Sequence, residues 1–337
     1  MLDDQRMGYA RKVRKSNDRF KTLGQSVVLK LPKLNTIIVD RVIDTAGLLA
    51  ESTEKQPITF QHSILCQTCL PYRDPGEDVR TWERLNGDAH LEVIAGKAMH
   101  PEQGRLVPLG LPFGPKPRLV LAHVNAEALR TDSPEIEIED SLSAFVKRLK
   151  LASHGRNMRT IKDQLARLSA SSVRLGMMRE GRAVTVNSQI VSAFDLWFPK
   201  DDRQRVLWPS TVRLSLDYFE SLKAHAVPLD ERALSALSHS AMGLDLYAWM
   251  AQRLHRIPKG KRQFIPWPRV KEQFGADYTR LRKFREVFMV TLRQVHAVYP
   301  AAKIDVNRNG LFLYTSPPPV MKTGVVVQLP GKSAISG

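Results

Sequence analysis

One order of local signals occurs twice in this chain, and it restricts the fold more than any other feature. In the first half, Asp140 caps a short helix expected at 141–150, and Gly155 marks a turn. A longer helix is expected at 156–172, followed by strand-like runs at 173–179 and 183–191 joined at Glu180-Gly181. In the second half, Pro268 opens a short helix, 268–274, as its first residue, and Gly275 closes it. Asp277 then caps a long helix at 278–298, and Pro300 stops it. Strands 303–306 and 311–314 follow around Asn309-Gly310, a type I′ turn signal.

Both long helices carry a buried-type stripe and a basic remainder. Met158, Ile161, Leu165, Leu168 and Ser172 keep the 3–4 spacing in the first. Arg156, Arg159, Lys162 and Arg167 fall off that stripe. In the second, Leu281, Phe284, Phe288, Leu292, Val295 and Tyr299 form the stripe. Arg280, Arg282, Lys283, Arg285 and Arg293 lie beside or opposite it. Arg179 and Arg182 flank the first hairpin turn, and Arg308 sits in the second.

Short helix, turn, long basic helix and hairpin is the order of a winged helix-turn-helix. The steep turn projects the second helix, which fits a major groove about 12 Å wide. Arginine suits both phosphate clamping and bidentate contact to guanine. The twelve cations named above are therefore the expected DNA-binding residues. A solvated polar face is the plainer explanation of one such helix; two in equivalent places weigh against it.

The expected fold class is α+β, mainly α, with two tandem winged-helix domains. Residues 1–35 are read as a basic flexible arm, 36–198 as the first domain, 199–317 as the second, and 318–337 as a flexible tail. A helix is expected at 36–55, and short strands at 91–98 and 105–109. A helix should run from Pro117 through Leu129, and Glu135–Glu139 alternates as a half-buried strand. A strand and helix near 206–225, two helices over 230–257 and an extended piece at 263–265 complete the expectation.

Charge places the same emphasis. The chain has 51 basic and 34 acidic side chains, net +17. Residues 1–33 carry +6, residues 147–182 carry +8, and residues 253–310 carry +10. The remainder of the chain is therefore −7. Three basic islands in a mildly acidic body look like electrostatic footprints on a polyanion. Two of them coincide with the two long helices. No run approaches the ~18 apolar residues of a membrane span, and the charged N-terminus has no signal-peptide core. Two cysteines suit a reducing compartment, so a cytoplasmic location without membrane contact is expected.

Motifs for covalent chemistry are weak. Gly331-Lys332-Ser333 ends like a P-loop, but Val326 stands where glycine is needed. Gly96-Lys97 and Gly260-Lys261 also lack the earlier glycine. No two histidines flank a single residue, as a rolling-circle nickase needs. His62, Cys66 and Cys69 could supply three zinc ligands, but two ordinary reduced cysteines are the simpler reading. Glu135, Glu137 and Glu139 share one strand face, read as solvated rather than metal-binding. The chain is expected to be no enzyme and to hold no cofactor or metal.

The chain resembles the RepA-type, iteron-binding replication initiators of plasmids in Gram-negative bacteria. The first half carries the likeness in Leu65-Cys66-Gln67, Leu70-Pro71, Asp78-Val79 and Trp82-Glu83-Arg84. Gly114-Pro115-Lys116-Pro117-Arg118, Leu121-Ala122, Arg130-Thr131, Ser133-Pro134 and Asp140-Ser141-Leu142 with Phe145 add to it. Trp267-Pro268, Lys271-Glu272-Gln273-Phe274-Gly275 and Phe284-Arg285 extend it, so that it covers about residues 40–317. The resemblance implies binding to repeated origin sites (iterons) in double-stranded DNA, help in duplex opening, and recruitment of the host replication initiator and replicative helicase. It also implies a homodimer that represses its own promoter, as part of plasmid copy control. The alternative is a winged-helix transcriptional regulator, an autorepressor included.

Overall fold

The computed structural model describes residues 36–51, 57–100, 103–137, 142–179, 182–194 and 211–320. The expected arm at 1–35, most of the expected tail, Glu139 and the capping Asp140 lie outside them.

Helix α1 spans Thr36–Glu51. Strand β1, Ile58–His62, runs into a short helix α2, Ser63–Gln67. Two hairpins follow: β2, Thr81–Asn86, with β3, Ala89–Ile94, and β4, Lys97–His100, with β5, Arg105–Pro108. Then come α3, Pro115–Thr131; β6, Glu135–Glu137; α4, Leu142–Arg148; and α5, Gly155–Ala170. Strands β7, Ser172–Arg179, β8, Arg182–Gln189, and β9, Val191–Phe194, end this half.

The second half begins with β10, Thr211–Leu214; α6, Leu216–His225; β11, Ala226–Asp230; and α7, Glu231–Leu237. Helix α8, Ala241–Arg253, precedes β12, Arg262–Pro266. Helices α9, Trp267–Phe274, and α10, Leu281–Val298, lead to the hairpin of β13, Ile304–Val306, and β14, Gly310–Tyr314. The result is a mixed helical and strand fold with small sheets. Their strand orders are β1-β11, β6-β10-β9, β12-β14-β13, β2-β3-β7-β8 and β4-β5.

The expected long helices form for the expected reason. Ile161, Leu165 and Leu168 of α5 are buried, as are Phe284, Phe288, Leu292 and Val295 of α10. His154 caps α5 by accepting from the Asn157 N–H through Nδ1.

Three local expectations are corrected. Helix α10 starts at Leu281, with Arg280 rather than Asp277 at the capping position. The intervening residues form a turn in which Tyr278 N–H donates to the Gly275 carbonyl, setting the Tyr278 ring edge-on to Phe284 at 5.8 Å. Helix α9 starts one residue early, so Pro268 is its second residue. The Trp267 N–H is thereby free to donate to the Asn309 carbonyl. The β13–β14 turn is not type I′, because Arg308, Asn309 and Gly310 all keep negative φ. Instead Asn307 Oδ1 accepts from the N–H groups of Asn309 and Gly310. Gly310 is required for close approach: a Cβ there would stand 2.1 Å from the Ile265 carbonyl oxygen.

Strands β1 and β2 and helix α2 had no clear local signal. β1 pairs antiparallel with β11, Ile58 opposite Asp230, and so ties the two halves together. One continuous buried cluster runs through both halves. Helix α1 packs on α7 and α10. Its Arg41 donates to His239 Nδ1, whose Nε2 meets Gln294 Oε1 of α10.

Candidate nucleic-acid interface

The second half holds the more coherent basic surface. Trp249, Trp267, Phe274, Phe284 and Phe288 pack as an aromatic cluster under α9 and α10. Each fully buried ring contributes roughly 1.5–3 kcal/mol, which fixes the two helices firmly. The start of α10 faces outward from this base. Arg280, Arg282 and Lys283 are exposed, while the rest of the helix is largely covered.

Lys283 lies 3.5 Å from Glu286, an exposed pair one turn on. Arg285 is half-buried, with its guanidinium 4.7 Å over the Trp267 ring. Trp267 in turn donates through Nε1 to the Asn307 carbonyl. The β13–β14 turn is thereby pinned beside α9, and Arg308 stands exposed within it. Trp267 thus brings together Arg285 and the turn that carries Arg308. Arg293 falls farther along, half-buried on the part of α10 next to α1.

The first half divides its cations. Arg156 and Arg159 are exposed on the first turns of α5, and Lys162 is half-buried. Arg167 is committed elsewhere. Its Nε donates to Asp163 at 3.0 Å, its Nη1 lies 3.6 Å from Asp74, and its guanidinium sits 5.2 Å over Phe113. With only 14% of its side chain exposed, Arg167 fastens α5 to the 111–113 segment. Arg179 and Arg182 pair across β7 and β8 at the end of that hairpin; their side chains lie outside the description.

Sequence reasoning gave no role to Arg84 or Lys271. The fold brings both to a cleft of about 690 Å³ between β2 and the α9–α10 end, bounded also by Leu85, Thr279 and Leu281. The Arg84 guanidinium sits over Trp82, its central carbon 3.6 Å from the ring centre. The available signal was the two short motifs, Trp82-Glu83-Arg84 and Lys271-Glu272, whose proximity only tertiary structure reveals.

The zinc alternative has its ligands otherwise engaged. His62 Nδ1 accepts from the Ile64 N–H, and Nε2 pairs with Ser221 Oγ at 3.0 Å. Cys66 and Cys69 are buried, and burial pushes both thiols up, away from the thiolate a metal needs. Among the described residues no group of three or more His, Cys, Asp or Glu is placed to hold a metal ion. Glu135 pairs with Arg213 on the neighbouring strand. No described helix is long and apolar enough to cross a membrane.

Comparison with known proteins gives one family. Residues 111–269 match the family model described as "Plasmid encoded RepA protein". No curated protein matches. Among solved structures, the crystal structure of RctB domains 2–3 superposes with a TM-score of 0.45 at 10% identity, over 74% of this chain and 94% of that one. The selenomethionine form of RctB domains 2 and 3 gives 0.46 at 9% identity, over 74% and 96%.

Proposed function

We propose that this chain, whose residues 111–269 match the family model described as "Plasmid encoded RepA protein", is a replication initiator that binds double-stranded DNA through two winged helices. In this reading α8, β12, α9, α10 and the β13–β14 hairpin form the second winged helix, with strand order β12-β14-β13. α3, β6, α4, α5 and the β7–β8 hairpin form the first. There β10 lies between β6 and β9, and the hairpin joins β2 and β3 in a larger sheet.

The observation that carries the proposal is the exposed first turn of α10. Arg280, Arg282 and Lys283 project there, beside a hairpin turn bearing Arg308. A helix end can enter a major groove while the hairpin meets the flanking backbone. Arg282 is the candidate base reader, because Arg285 is partly held by Trp267. Arg156 and Arg159 of α5 supply phosphate contacts from the first unit.

The proposal extends to tandem iterons at a plasmid origin, assistance to duplex opening, and recruitment of the host initiator and replicative helicase. It includes a homodimer as a second form. It assigns no covalent step and no cofactor to the chain.

Nuclease footprinting over the plasmid DNA flanking the gene tests it. Protection of several direct repeats is expected. Protection of a single palindromic operator would instead identify a transcriptional regulator.

A further inference from the structure

We infer that the outer face of the β12-β14-β13 sheet is a stacking site for single-stranded DNA, centred on Phe264 and Phe312. Alternation along the strands sends Leu311 and Leu313 inward, where both are buried, with Ile265, Ile304 and Val306 packed against the core. The opposite face presents Arg262 and Phe264 on β12, and Phe312 and Tyr314 on β14. Phe264 and Phe312 stand directly opposite each other in the register, with ring centres 4.8 Å apart. Phe264 is 45% exposed even though it packs on Phe312, so much of its ring is open to solvent.

The Phe264 ring sits close against the sheet. A Cβ at Gly310 would stand 2.9 Å from the edge of the Phe264 ring, so glycine lets that ring lie close to the sheet. Arg262 extends the surface, its guanidinium 4.7 Å from the Phe312 centre. Tyr314 lies opposite Arg262 and is held by its hydroxyl, which donates to Asp305 at 2.9 Å. Two adjacent rings and a planar cation on an open sheet can each receive an unstacked base.

Charge completes the site. The loop entering β12 exposes Arg256, Lys259 and Lys261 ahead of Arg262, with no acidic residue among 255–262. Lys303 is exposed nearby, its carbonyl accepting from the Tyr314 N–H. A cationic track beside aromatic rings fits a phosphate backbone whose bases turn toward the protein. Duplex DNA keeps its base faces covered by neighbouring pairs, so a stacking surface has nothing to receive there. The face also lies opposite the core side of the sheet and does not use Arg280, Arg282 or Lys283.

The choice of DNA as the ligand rests on the proposed function; the site itself rests on the sheet. The test uses the full chain with two labelled probes, a 20-mer of oligo(dT) and a duplex carrying one origin repeat, read by fluorescence anisotropy. Phe264→Ala should weaken oligo(dT) binding about ten-fold, the range of one base–aromatic stack. Phe264→Tyr, which keeps the ring, should restore it, and duplex affinity should not change in either variant. Phe264 is exposed, so neither change threatens folding; Arg262→Gln gives an independent loss. Unchanged oligo(dT) binding by Phe264→Ala, or equal losses in the alanine and tyrosine variants, would overturn the inference. So would a change in oligomeric state by sedimentation with oligo(dT) binding intact, which assigns the face to a second copy. A wild-type chain that binds the duplex and not oligo(dT) overturns this inference alone; one that binds neither overturns the proposed function as well.

Discussion

Arg118 of α3 and Asp245 of α8 form a buried two-pronged ion pair, Nε to Oδ1 at 2.7 Å and Nη2 to Oδ2 at 2.7 Å. The same guanidinium donates to the carbonyls of Leu70 and Gly114. It therefore joins two motif segments to both halves of the molecule. Removing one partner of such a pair strands a buried charge, which costs about 3–5 kcal/mol. Asp245→Ala should lower stability by that order in urea unfolding. The double change Arg118→Met with Asp245→Leu should be more stable than either single loss, since no uncompensated charge remains.

Two buried histidines make stability fall in mild acid. Burial, aided by nearby His225, holds His62 down at about 3, and burial together with Arg148 holds His123 down at about 4. Both groups titrate at 6.5 when unfolded. Between 6.5 and those lowered values the unfolded chain binds protons that the folded chain does not. Their contribution is thus fully present above the unfolded value and is lost as pH falls toward about 3–4. Denaturant midpoints should drop from pH 7.5 to pH 5, and His62→Gln should show a shallower drop. Equal slopes would show that His62 protonation does not drive the drop.

Arg167 and Arg159 separate folding from binding. Arg167→Ala loses contacts to Asp163, Leu111 and Phe113, and should cost roughly 1–3 kcal/mol of stability. Affinity of the folded variant for DNA should be kept. Arg159→Ala should leave the melting temperature unchanged and lower the slope of log K against log salt by about 1. Melting curves and salt titrations of both variants distinguish the roles.

Gly310→Ala should destabilise the sheet by roughly 1–3 kcal/mol, as overpacking does, because its Cβ would meet backbone that cannot turn aside. Circular dichroism melts measure this. Gly260 has positive φ but open space around it, so its alanine variant meets only backbone strain, roughly 1–2 kcal/mol.

The two long helices were legible because their apolar residues keep a helical period that a core must satisfy. The β13–β14 hairpin was legible from its turn residues, although Gly310 serves close approach rather than φ. The β1–β11 pairing was not, since it joins distant segments whose buried members include polar Thr59 and Gln61. Charge and face position marked Arg167 as a DNA contact, but neither shows that Asp74 and Phe113 fold back onto it. Asp277 looked like a cap because aspartate favours that position; the packing of Tyr278 on Phe284 moved the helix start. Arg282, Lys283 and Arg308 were marked by charge together with their places off the apolar stripe and in the hairpin turn, and the fold leaves all three exposed.

The most direct test of the central claim is the affinity of Arg282→Ala for an origin-repeat duplex, measured against wild type over a salt series. Arg282→Ala should lose about 1–3 kcal/mol in binding, concentrated on the specific site, with the melting temperature unchanged. Undiminished binding by a variant lacking both Arg282 and Lys283 would contradict it, because α10 would then not be the element that reads DNA.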